Sequence, residues 1–380
     1  EIRLSLVGSE MCIRDSNSTG LGNYGRYVID ILSDYYPENA YDLYSPSKGK
    51  DHLRNKLREK KNITYHYPSP IDSLLKSVWR SYGIIKDLKK FSPDIFHGLS
   101  NELPIGLKKA GIQSVVTIHD LIFIRYPQFY KKIDRTIYNH KFRKACEQAD
   151  RVIAISDMTR QDIIKTYHIP EEKIDVVYQG CAPLFLKQVS SEQKEKIRTK
   201  YNLPPCYILS VGSIEQRKNL LLIVRALRQL GKDIHLIAIG KRTPYTDIVE
   251  TYIKENNMQQ QVSILNNVPF EDLPGFYQMA DLFIYPSFFE GFGIPIIEAL
   301  HSNVPVIAAT GSCLEEAGGP DSLYVEPNDV NDLSEKINWI LSTPTQAELM
   351  KKAGKEYVKR FTDQQIANDL MNVYRNVLNK

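Results

Sequence analysis

Cysteine is scarce. The 380 residues hold five, Cys12, Cys146, Cys181, Cys206 and Cys313, an odd and scattered set without a CxxC pair. Such a set builds neither a disulfide framework nor a structural zinc site. No run of 18 apolar residues occurs, and no basic–apolar–small leader opens the chain, so neither a spanning helix nor export is expected and the reading is cytoplasmic. Asp-x-Asp, a closely spaced carboxylate pair suited to a divalent ion, is missing. So are internal repeats and low-complexity tracts. What is present is ordinary: 42% apolar and 25% charged residues exclude disorder, collagen and coiled coil, and the length suits two or three domains.

The net charge of +4 conceals an asymmetry, because residues 1–185 carry 28 Lys/Arg against 22 Asp/Glu and residues 186–380 carry 21 against 23. The densest basic cluster, Lys48 to Lys61, holds seven cations opposed only by Asp51 and Glu59. It reads as a solvated loop face or as a contact for an anionic membrane surface or acidic acceptor.

Short β-branched and aromatic runs alternate with segments of helical period, the pattern of parallel sheets covered by helices. The pattern occurs twice. Strands are expected at Tyr41 to Ser45, Asp94 to Leu99, Ser114 to His119, Arg151 to Ser156 and Asp175 to Tyr178, with helices starting near Gly22, Ser73, Lys132 and Asp157. A second series is expected at Tyr207 to Gly212, Ile234 to Ile239, Val262 to Leu265, Leu282 to Pro286, Val304 to Ala308 and Ser322 to Val325. Pro183 and the polar stretch Lys187 to Lys200 separate the two series, which divides the chain into residues 1–188 and 189–362.

Four sites carry chemistry. Gly20-Leu21-Gly22-Asn23-Tyr24-Gly25 is a formal GxGxxG that opens a helical segment, either for backbone approach to a phosphate or for a turn and close helix packing. Gly212-Ser213-Ile214-Glu215-Gln216-Arg217-Lys218-Asn219 follows a strand and places Arg217 and Lys218 at a helix N-terminus, where two cations oppose the helix dipole unless an anion binds there. Glu290-Gly291-Phe292-Gly293-Ile294-Pro295 ends a buried strand in a glycine-rich turn. Pro295 suits the first helical position, which puts Glu298 in the first turn, both carboxylates beside one pocket, and the amides of Phe292 to Ile294 toward the same ligand. Finally Val116-Thr117-Ile118-His119-Asp120 delivers a histidine to the carboxyl edge of the first sheet, for proton or hydrogen-bond work or for structure.

Together the Glu290-x7-Glu298 segment, GSIEQRKN, TIHD and TGLGNYGR resemble retaining glycosyltransferase family 4, over residues 17 to 380. The resemblance implies an α/β protein of GT-B fold, with two Rossmann-like domains whose parallel sheets face a central cleft, the first holding the acceptor and the second a nucleotide-diphosphate sugar. The helix near 363–380 would pack back on the first domain. Carried over motif by motif, Lys218 would bind the diphosphate, Glu290 the donor sugar and Glu298 the ribose, Gly20 and Gly22 would lie against the phosphates, and His119 would contact the transferred sugar. Members commonly carry Arg where Ser213 stands, so Arg217 is expected to supply that cation. Leu-Pro-Glu is replaced by Leu314-Glu315-Glu316, which leaves Glu315 without a role. Residues 5–16 depart from the family's first strand and loop and read like translated adapter sequence, although Ile2, Leu4 and Leu6 alternate as a strand.

The function so implied is metal-independent transfer of a hexose, from GDP-mannose or a UDP-sugar, to a glycan or lipid-linked acceptor in surface polysaccharide synthesis. No separate cofactor and no nucleic acid partner is expected, and the basic first domain would give peripheral membrane contact. Other readings are an NAD-dependent oxidoreductase resting on the GxGxxG, an epimerase of the same fold, and a sugar-nucleotide sensor.

Overall fold

The computed structural model describes residues 2–7, 20–46 and 60–379. It divides into two compact units, one of residues up to Gln179 together with Thr362 onward, the other Gly180–Phe361. The expected division after residue 188 falls later in the chain than the observed one.

Among the described residues, the first unit is built on seven parallel strands: β1 (Arg3–Val7), β2 (Ala40–Tyr44), β3 (Ile63–His66), β4 (Ile95–Gly98), β5 (Gln113–Ile118), β6 (Arg151–Ala154) and β7 (Ile174–Val176). Their order is β3-β2-β1-β4-β5-β6-β7. Strands covered on both faces need apolar residues at successive positions, which is what Val115, Val116 and Ile118, or Val152, Ile153 and Ala154, supply. β1 lies in the interior of the sheet, paired with β2 and β4, with Leu4 and Leu6 fully buried. The remainder of the adapter-like stretch, residues 8–16, lies outside the described residues.

The helix Gly20–Tyr35 returns over this sheet, burying Val28, Ile29, Ile31 and Leu32. Against it packs the terminal helix Asp363–Leu378, started by Thr362, whose side chain accepts from the Gln365 N–H. Ile366, Leu370, Met371, Val373, Tyr374 and Val377 are buried there, each contributing about 1.5–3 kcal/mol. Tyr27 and Tyr36 donate to Asp363 and Asn368 at 2.8 and 2.7 Å and fix the pairing.

The second unit carries six parallel strands: β8 (Ile208–Val211), β9 (Leu236–Ile239), β10 (Val262–Leu265), β11 (Leu282–Tyr285), β12 (Val306–Ala309) and β13 (Leu323–Val325). The order β10-β9-β8-β11-β12-β13 reverses direction between β8 and β11. Ligands of open parallel sheets bind outside the carboxyl ends of the strands at such a reversal. In this unit that place is formed by the segments after Val211 and after Tyr285.

Two expectations fail for identifiable reasons. Lys187 to Lys200, read as a polar separator, contains the helix Ser191–Tyr201, capped by the Ser190 hydroxyl; only Ile197 is buried, so the helix has no apolar stripe to reveal it. β3 was not anticipated, because this four-residue edge strand is only half buried and shows no apolar run.

Candidate functional site

Gly212 follows β8 and Gly240 follows β9, and a Cβ on Gly240 would sit 1.7 Å from the Gly212 carbonyl oxygen. Only glycine permits that approach. The chain then makes a tight turn at Gln216–Lys218 and passes through Asn219, which has φ of 59°. Asparagine tolerates that left-handed geometry, and its amide ties the turn to the Pro286 and Pro327 carbonyls at 3.2 and 2.7 Å. Helix Leu220–Leu227 starts only afterwards, held by six buried apolar residues. Arg217 and Lys218 therefore lie in the turn before the helix rather than at its N-terminus as expected.

What balances these cations is Glu290. Its Oε1 receives Lys218 Nζ at 2.5 Å, Arg217 Nη1 at 2.7 Å and the Ser287 hydroxyl at 2.7 Å, with Tyr285 donating at 3.2 Å. Arg217 also donates to the Phe289 carbonyl at 2.6 Å and pairs with Glu215 at 2.9 Å. Burial alone would raise the Glu290 pKa, but Arg217 and Lys218 hold it at about 2, so the carboxylate stays ionised. Burial lowers the Lys218 pKa and Glu290 opposes that shift. The Oε2 of Glu290 makes no hydrogen bond to a described residue. Arg217 thus reaches the same carboxylate oxygen as Lys218.

After Glu290 the chain turns through Gly291, Phe292 and Gly293. Gly293 has φ of 143°, and a Cβ on it would meet Ala317 at 3.0 Å. The Phe292 ring is buried against Phe361 with centroids 5.4 Å apart, so of this residue only backbone remains to meet a ligand. The Cys313 thiol donates to the Glu290 and Phe292 carbonyls at 3.0 and 2.9 Å and fastens the turn from below. Gly293 and Ile294 N–H groups make no hydrogen bond with a described residue, as is usual at a helix start.

Helix Ile294–His301 has Pro295 in its second position, so Glu298 stands in the second turn, not the first. It is 8% exposed, and its Oε2 accepts from the Tyr277 hydroxyl at 2.9 Å. Burial raises its pKa to about 8, with the Tyr277 bond opposing. No described hydrogen bond or ion pair joins Glu298 to the Glu290 cluster. Glu315, left without a role above, closes the Thr310-Gly311 turn by accepting from the Thr310 hydroxyl and the Gly311 N–H.

In the first unit, His119 follows β5 directly and is 5% exposed. Its Nε2 bonds the Leu99 carbonyl at 2.8 Å, and its N–H donates to Asn101 Oδ1 at 2.8 Å. A carbonyl only accepts, so Nε2 carries the proton and Nδ1 is left as an acceptor. Burial lowers its pKa to about 4, which makes it neutral at working pH rather than a proton carrier. Tyr24 meets its ring edge-on at 4.7 Å. The GxGxxG lies inside the helix beginning at Gly20, with Gly22 and Gly25 buried, and not in a strand-to-helix turn. Asp42 stands near the start of β2 rather than at its carboxyl end, where a dinucleotide fingerprint needs its acid, and it is bound by Arg3 and His66 at 2.7 and 2.6 Å. The oxidoreductase reading, which rests on the GxGxxG, loses its support. Of the basic cluster, only Lys60 and Lys61 are described, and Lys60 is paired with Asp30 and Asp34.

Sequence reasoning missed Tyr285, Ser287, Tyr277 and Cys313. The first two adjoin Glu290 in the motif itself, and their closeness was the available signal. Tyr277 and Cys313 arrive from separate elements with no marker in spacing.

Residues 28–183 match the sequence profile of Glycosyltransferase Family 4, and residues 192–357 that of Glycosyl transferases group 1. O-antigen chain mannosyltransferase B of Escherichia coli is 30% identical over 294 residues, 76% of each chain. O-antigen chain mannosyltransferase RfbU of Salmonella typhimurium is 28% identical over 229 residues, 60% of this chain and 61% of that one. Among solved structures, a glycosyltransferase from Rickettsia africae superposes with a TM-score of 0.78 at 20% identity, covering 100% of this chain and 99% of that one. Anabaena Alr3699/HepE in complex with UDP and glucose gives 0.77 at 16% identity, covering 98% and 100%. At those identities the two structures bear on the fold alone, which is that of the GT-B glycosyltransferases.

Proposed function

The chain belongs to the glycosyltransferases of group 1 and family 4, and from that premise we propose that it moves mannose, with retention at the anomeric carbon, from a nucleotide-diphosphate sugar to a glycan or lipid-linked acceptor of a surface polysaccharide. The observation that carries the reading is the cluster of Lys218, Arg217 and Glu290 at the reversal point of the second sheet. Two cations tied into one turn offer a diphosphate charge-assisted bonds that strengthen as the leaving oxygen gains negative charge. Glu290 keeps one carboxylate oxygen for the protein and the other for a sugar hydroxyl. Glu298, with one oxygen on Tyr277, has its second for the ribose. The amides of Gly293 and Ile294 face the same anion.

Mannose is favoured because the relatives at 30% and 28% identity are O-antigen mannosyltransferases. GDP-mannose is the first candidate donor and a UDP-sugar the second, the latter because the HepE structure holds UDP. A lipid-linked acceptor fits a further relative, 26% identical, that carries diphospho-undecaprenol in its name. Departure of the diphosphate is assisted by Lys218 and Arg217, without a metal ion or separate cofactor, and the acceptor attacks from the same face while its proton passes to the diphosphate. Glu290, an ionised carboxylate held by two cations, is a weak nucleophile, which favours this course over a covalent intermediate. For the first unit, His119 would offer Nδ1 as acceptor to a hydroxyl of the transferred sugar. The work would take place on the cytoplasmic side of a membrane. Saturation-transfer NMR against GDP-mannose, UDP-glucose, UDP-galactose and UDP-N-acetylglucosamine tests the donor: signals from GDP-mannose support the reading, and silence from all four sinks it.

A further inference from the structure

The turn that carries Arg217 and Lys218 has a second side. Along β11, Leu282 and Ile284 join the core formed by the helices Leu220–Leu227 and Pro244–Glu255. Phe283 and Tyr285 alternate to the other face of the sheet, where Tyr277 meets Phe283 at 5.2 Å and Lys218 Nζ lies 4.9 Å from the Tyr285 ring centre. Glu290 and Glu298, bonded to Tyr285 and Tyr277, belong to that other face. On the helix side a cavity of about 350 Å³ opens between the turn and the two helices, within the size range of small-molecule sites. Asn219 lines it and is 8% exposed. Its two amide hydrogens go to the Pro286 and Pro327 carbonyls, which only accept, so the amide cannot be turned round and Oδ1 has no described donor. That acceptor is the side chain's remaining bonding capacity, and it belongs to a residue fixed in the cavity wall.

The rest of the lining says what would bind there. Arg225 brings a donor that no described carboxylate pairs, its guanidinium 5.7 Å from the Tyr252 ring centre. Asn328 adds an exposed amide, and Tyr245, Ile248 and Phe288 supply apolar wall. An inorganic anion would suit Arg225 but would set acceptor oxygens against Asn219 Oδ1. A hydroxyl both donates and accepts, and a pyranose ring carries several of them around an apolar C–H face. We infer that this cavity binds a neutral hexose unit of the glycan, apart from the place where the sugar is transferred. The choice of a glycan as the source rests on the proposed function, whereas the match of acceptor, donor and apolar wall to a polyol does not.

The test is photolabelling of the full chain, saturated with GDP, by α-mannotriose carrying a diazirine, followed by peptide mapping. Label should fall on peptides from 216–228 and 244–255. Excess unlabelled mannotriose should remove it, and inorganic phosphate or adenosine should not. Arg225→Ala should lower labelling of these peptides ~10-fold, as expected for loss of a bond from a charged donor, and Asn328→Ala ~3-fold. Both side chains are exposed, so the melting temperature of each variant should stay parental. Labelling confined to other peptides, labelling that both variants leave unchanged, or displacement by phosphate or adenosine would each overturn the assignment. GDP affinity and mannose transfer, measured on the same preparations, should be parental in both variants. A parent that neither binds GDP nor transfers mannose fails the catalytic reading instead, because labelling of the cavity is read independently of both.

Discussion

Glu298 holds a proton that the unfolded chain would release, and this makes stability depend on pH in a definite direction. Its folded pKa is raised by burial to about 8 from an ordinary 4.5. Below 4.5 both states are protonated and the group contributes its full stability. As pH rises toward 8 the unfolded state ionises and the folded state does not, so that contribution is lost; above 8 the loss levels off. A shift of this size corresponds to a few kcal/mol at about 1.4 kcal/mol per unit, and relaxation around a newly charged Glu298 reduces it to about 1–2 kcal/mol. Glu298→Gln keeps the shape and an acceptor for Tyr277 but never ionises. The melting temperature of the variant minus that of the parent should therefore grow between pH 5 and pH 8 by roughly 2–8 °C and then stay constant. Differential scanning fluorimetry at half-unit steps measures it. A difference that is flat across the range would refute the buried, protonated Glu298.

Lys218→Ala should lower kcat/KM by ~10²-fold or more, since a bond to the leaving group strengthens in the transition state; unchanged turnover and nucleotide affinity would mean the phosphate site lies elsewhere. Arg217→Ala should cost less in kcat/KM but also lower the melting temperature, because it frees the Phe289 carbonyl and takes one of the two cations from the buried Glu290. Glu298→Ala should weaken binding of the free nucleotide, while Glu290→Ala should leave it nearly intact and depress transfer; calorimetry showing equal losses would contradict that division. His119→Ala should lower kcat by at least ~10-fold and, contrary to what a surface residue would show, also lower the melting temperature by removing a packed, hydrogen-bonded ring. With a pKa near 4, His119 should give no inflection near pH 6.5 in the rate profile; an inflection there that His119→Gln abolishes would restore a proton-transfer role.

The alternation of apolar runs announced both sheets, since doubly covered strands such as Leu282–Tyr285 must be apolar throughout. It could not announce Ser191–Tyr201, a charged helix, or Ile63–His66, a half-buried edge. The candidate site was legible wherever its residues are neighbours in sequence: Glu290 with its glycines, and Arg217 beside Lys218. What spacing could not give was their mutual arrangement. The Glu290 contacts to Lys218 and Arg217 join segments more than 70 residues apart, and Glu298 sits one residue further into its helix, just past the first turn, because the helix opens on Ile294 rather than Pro295. His119 shows the same limit in the first unit. A strand end names the position, but burial and the Leu99 carbonyl, which fix its protonation, come from another loop.

The most direct measurement is transfer of radiolabelled mannose from GDP-mannose to lipid-linked acceptors, run in EDTA with the parent, Lys218→Ala and Glu290→Ala side by side. The account predicts an α-linked product from the α-linked donor, formed by the parent in EDTA and reduced at least ~10²-fold by either substitution. Transfer that requires added Mg2+ or Mn2+, that inverts the anomeric configuration, or that proceeds undiminished in both variants would contradict it.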